Sequence, residues 1–63
     1  MPTYKVFIRR PTTNAPVWDW KETIVRKDQQ TAIADSYQNW VDSKPSVAPP
    51  ALAACTTKAD LVQ

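Results

Sequence analysis

Between Thr3 and Arg9 apolar and polar positions alternate, with Tyr4, Val6 and Ile8 on one side and Lys5, Phe7 and Arg9 on the other. Period-two patterning in a run this rich in β-branched and aromatic side chains predicts a strand with one buried face. Pro11-Thr12-Thr13-Asn14-Ala15-Pro16 then reads as a loop, because its residues favour turns and its terminal prolines cannot donate to a ladder. Alternation resumes from Val17 to Arg26 and predicts a second strand, with Trp18, Trp20 and Ile24 on one face and Val17, Asp19, Lys21, Thr23 and Val25 on the other. Folded back antiparallel, the strands bring Ile8 near Trp18 or Trp20, and Tyr4, Val6, Ile8, Trp18, Trp20 and Ile24 share one side. Glu22 interrupts that side. A carboxylate there needs an edge position or a partner, for which Lys5, Arg26 and Tyr37 are the candidates.

The period then lengthens. Asp28 is a good N-cap, and from Gln29 to Ser43 the apolar residues Ala32, Ile33, Tyr37, Trp40 and Val41 recur at helical spacing, with Gln30, Asp35, Gln38 and Asn39 opposite. The helix should stop near Ser43 or Lys44, because the residue before Pro45 is pushed out of the α region. Residues 1–44 thus form a ββα core domain, and 45–63 form a Pro-rich arm. The arm runs through Val47 and Pro49-Pro50 into the small-residue segment Ala51 to Cys55, and closes with Thr57 to Val62. That closing segment fits a strand or a short helix. A two-stranded ribbon is marginal in water, so a third strand covering one ribbon edge is the better choice. The expected fold is α+β, a small antiparallel sheet in the order of elements β-β-α-β with one helix on its tryptophan-bearing face.

Composition narrows the chemistry. The 63 residues hold no glycine and no histidine, which removes phosphate-cradling and dinucleotide loops and the commonest neutral-pH base and metal ligand. A single cysteine, Cys55, supports neither an internal disulfide nor a zinc site, so no cofactor and no metal are expected. Leu52-Ala53-Ala54-Cys55 has the look of a lipidation box, but without a charged and apolar leader it reads as an ordinary small-residue segment. No apolar run approaches the roughly 20 residues of a membrane span. A free thiol and the lack of a signal segment point to a cytoplasmic protein. Paired carboxylates for acid–base work are not evident either: Asp19 and Glu22 fall on opposite strand faces, and Asp35 and Asp42 lie two turns apart. Catalysis on a small-molecule substrate is not expected in so shallow a domain.

Charge is uneven along the chain. Residues 1–27 carry six cations against two carboxylates, a net +4, while residues 28–63 carry two cations against four, a net −2. The predicted outward strand face presents Lys5, Phe7, Arg9, Lys21 and Val25. With Arg10, Trp18, Arg26 and Lys27 near its ends, Lys5, Phe7, Arg9 and Lys21 make the candidate interaction surface. A core this small supplies only about 3–5 kcal/mol, which favours a partner or an oligomer. The first expectation is therefore a non-enzymatic interaction or assembly subunit, either self-associating or an accessory or inhibitor bound to a larger protein, as short viral and bacterial chains often are. The alternative is a small nucleic-acid-binding protein that stacks bases on the sheet while its basic groups meet phosphates.

Overall fold

The computed structural model describes residues 1–62 and places three strands and one long helix in two layers. Strand β1 spans Thr3–Arg9, β2 Trp20–Val25 and β3 Thr56–Leu61; helix α1 spans Gln29–Asp42, and a short 3₁₀ turn covers Leu52–Ala54. The sheet is antiparallel in the order β2-β1-β3, with Ile8 opposite Trp20 and Thr57, and Val6 opposite Glu22 and Ala59. The third strand is therefore present, and β1 becomes the central strand. Alternation alone gave β1 its bounds, because both its edges are paired and one of its faces is buried.

The core lies between sheet and helix. Val6, Ile8, Ile24 and Ala59 from the sheet meet Ala32 and Trp40 from the helix, with Tyr4, Trp20, Ile33, Tyr37 and Cys55 partly buried around them. Ala59 belongs to this cluster, so β3 is part of the same packed unit as residues 1–44. The helix also buries Ser36 completely. Ala32, Ser36 and Trp40 recur every four residues, which puts them on one stripe. Two small side chains in that stripe let the helix approach the sheet closely, and Trp40 fills the core beyond them.

Both ends of α1 are closed locally. Asp28 accepts the Thr31 backbone N–H at 2.8 Å, the expected N-cap bond, and this hydrogen bond holds its carboxyl below the ordinary value. Ser43 caps the other end, and Lys44 follows with φ 53°. Glycine usually takes that left-handed position after a helix; in a chain without glycine, Lys44 carries the strain instead.

Three features depart from the expected pattern. The second strand begins at Trp20 rather than Val17, because Asp19 sits in a bend: it accepts the Arg10 backbone N–H and the Thr13 hydroxyl, each at 2.7 Å. Strand alternation therefore does not reach Trp18, which lies against Phe7 on the opposite side of the sheet from the core. Glu22 uses none of the three candidate partners. It stands on an outer strand and accepts from Trp20 Nε1 at 3.3 Å and Asn39 Nδ2 at 3.0 Å. Asn39 and Asp35, expected on the solvent side of the helix, instead flank β2, where Asp35 pairs with Arg26. Residues beside the buried stripe on the β2 side of the helix thus still reach side chains of β2 and its end.

Candidate functional site

The helix covers one face of the sheet and leaves the other open. On β1 the open face presents Lys5, Phe7 and Arg9; the pairing adds Lys21, Thr23 and Val25 from β2, and Thr56, Lys58 and Asp60 from β3. Phe7 stands at the centre, with Lys21 opposite it on one side and Lys58 on the other. The ammonium groups of Lys5 and Lys58 lie 5.6 and 5.5 Å from the centre of its ring. Trp18 lies against the same ring, centroids 5.4 Å apart and planes tilted by 44°. Arg9 stacks its guanidinium 4.5 Å from the Trp18 ring centre. Each of these cations sits within range of an aromatic face, where the ring quadrupole attracts it.

Among the described residues the face thus combines two half-buried aromatic rings with Lys5, Arg9, Lys21 and Lys58, four cations against the carboxylate of Asp60. Lys58 and Asp60 approach to 3.4 Å along their own strand, an exposed pair that screening leaves weak. Lys58 and Asp60 were not among the residues expected here. Their alternation in Thr56-Thr57-Lys58-Ala59-Asp60-Leu61 carries the signal, once that segment is a strand beside β1.

Of the candidate surface, Lys5, Phe7, Arg9, Trp18 and Lys21 come together on this face. Three others do not. Arg10 turns toward the helix layer: its guanidinium lies 3.4 Å from Asp19 Oδ1, donates to the Val47 carbonyl, and stands 4.9 Å from the Trp40 ring centre. It ties the β1–β2 loop to the arm that follows the helix. Arg26 is held by Asp35 and by the Val25 carbonyl. Lys27 is exposed in the turn before α1. Arg10 and Arg26 belong to the expected interaction surface as basic residues at strand ends, and Arg26 also to the candidate partners of Glu22. The carboxylates that hold them, Asp19 and Asp35, become neighbours only through the bend and the helix docking.

The Asp19 carboxyl titrates below its ordinary value, chiefly because the Arg10 backbone N–H donates to it, with Thr13 and the Arg10 charge adding to the effect against a desolvation that opposes it. Burial pushes the Cys55 thiol up, and the Arg10 charge only partly offsets that. The thiol is a weak nucleophile near neutral pH for that reason. Among the described residues there is no pocket and no cluster of three metal-ligating side chains. No helix of the described residues is long and apolar enough to cross a membrane. Comparison of the chain with protein-family models, with curated proteins and with solved structures gives no match.

Proposed function

We propose that the protein binds single-stranded nucleic acid on the open face of its sheet, without catalysis. The observation that carries this is the Phe7–Trp18 pair, which puts two stacking platforms side by side among Lys5, Arg9, Lys21 and Lys58. Bases have π-faces whatever their sequence, and cations beside the rings suit the phosphates that link them. A duplex hides those π-faces in its own stack, so the occupant is an unpaired strand. Stacking on ring faces is tolerant of base identity, which favours binding with little sequence preference. A setting in the cytoplasm, where Cys55 stays reduced, belongs to the same proposal.

The test is fluorescence anisotropy of a labelled mixed-sequence oligonucleotide, single-stranded and then annealed to its complement. Single strands should bind and duplex should bind more weakly. Phe7→Ala and Trp18→Ala should each weaken single-strand binding by about 1–3 kcal/mol, the worth of one stacked base. Equal affinity for duplex, or variants that bind like the parent chain, would overturn the stacking account. No binding to either form would leave a protein as the partner of this face.

A further inference from the structure

The outer edge of β3 is self-complementary. Val62 donates its backbone N–H to the Thr3 carbonyl at 2.8 Å, which fixes the phase of the β1–β3 ladder. Bonded and non-bonded pairs alternate in an antiparallel ladder, so Thr56, Lys58 and Asp60 bond toward β1, while Thr57, Ala59 and Leu61 turn their N–H and C=O groups outward. Gln29 Nε2 donates to the Ala59 carbonyl at 2.8 Å, as an outward carbonyl allows.

We propose that a second copy of this chain pairs with that edge, antiparallel, about a two-fold axis at Ala59. In this register Ala59 faces Ala59, and Thr57 faces Leu61 of the other copy. All three outward-turned residues of each strand then find outward-turned partners. Between these bonded pairs Lys58 lies opposite Asp60 of the second copy, and Asp60 opposite its Lys58. They occupy the close non-bonded positions, where side chains on one face meet best. Leu61 and Val62, 62% and 55% exposed, are covered at the same time. The Gln29 amide yields the Ala59 carbonyl to the second copy or shares it, since a carbonyl accepts two bonds. The other outer strand lacks this match. Arg26 N–H donates to the Pro2 carbonyl, so Lys21, Thr23 and Val25 turn outward on β2, and a two-fold axis at Thr23 sets Lys21 against Val25. Pairing through β3 joins two sheets into one of six strands and makes a single open surface of the two basic faces.

Sedimentation equilibrium of the full chain, without nucleic acid, over a wide concentration range tests this. The parent chain should show a monomer–dimer equilibrium. Lys58→Asp and Asp60→Lys should each raise the dimer dissociation constant by about tenfold, since each sets two like-charged pairs face to face. The double exchange K58D/D60K should restore the parent value, because it recreates both cross-copy pairs with their signs reversed. Circular dichroism of each variant separates lost pairing from lost folding, and the double exchange reads the pairing in a chain that assembles. A monomer at every concentration, or a dimer indifferent to the single reversals, or a double exchange no better than either single change, would overturn the proposal.

Discussion

Ser36 is the residue that best shows how this small core is closed. Its side chain is fully buried, and its hydroxyl has no hydrogen-bond partner among the described residues. Burying an unpaired hydroxyl costs about 1–3 kcal/mol, so the position is held by size rather than by polarity. Ser36→Ala should leave stability equal or higher in chemical denaturation. Ser36→Leu should lower it by about 1–3 kcal/mol, because the helix would have to lift off the sheet. A Ser36→Ala chain that unfolds more easily would show that the hydroxyl has a partner after all.

Asp19 does the corresponding work for the loop between β1 and β2. A carboxyl whose folded pKa lies below its unfolded one contributes stability that is present above the unfolded value and is lost as pH falls through the folded one. The ordinary value is 3.8, so the contribution of Asp19 should fade below it. Asp28 is lowered as well and adds to the same acid loss. Asp19→Asn should be less stable than the parent at about pH 6, and the gap in thermal midpoint should shrink toward about pH 2. A gap that stays constant across that range would remove the carboxylate from the account. Neither residue could be assigned these roles from the linear pattern. Ser36 looks like one of several polar helix residues, and Asp19 looks like the outward residue of a strand.

At the scale of elements, β1, α1 and the Asp28 cap were legible because each follows from local periodicity and capping chemistry. The third strand was legible only through topology, since Thr57 to Val62 fits a strand or a helix equally well in isolation. The place of Trp18 stayed hidden because of one bend. By accepting from Arg10 and Thr13, Asp19 ends the alternation before Trp18 and sends that ring to the open face. The partners of Glu22 and Arg26 stayed hidden for a related reason: Asn39 and Asp35 reach the sheet only once the helix is docked.

Strand β3 should also be needed for cooperative folding. It brings Ala59 to the core and pairs along β1 from Tyr4 to Arg9. A chain ending at Ser43 would keep a two-stranded ribbon with one open edge on its central strand. Such a ribbon is marginal even with a helix beside it. That truncated chain should show neither cooperative thermal unfolding nor protected amides in hydrogen exchange. If it unfolded cooperatively, residues 1–43 would be the folding unit and β3 an accessory.

The whole molecule measures 32 × 24 × 17 Å, the thickness of one sheet and one helix. The described residues form no pocket, and the open sheet face is the surface the proposed binding uses. The charges divide accordingly. Arg10 pairs with Asp19 and Arg26 with Asp35 at the sheet margin, while Lys5, Arg9, Lys21 and Lys58 remain on the open face around Phe7 and Trp18. The measurement that bears most directly on this division is the salt dependence of single-strand affinity. Four phosphate contacts release counterions with a log–log slope of about −2.8, a weakening of about 50-fold between roughly 50 and 200 mM salt. A slope near that value, reduced by about 0.7 in Lys21→Ala, is the result expected of a face that meets phosphates with these four groups. Binding that ignores salt, or a slope unchanged when Lys21 is removed, would contradict it.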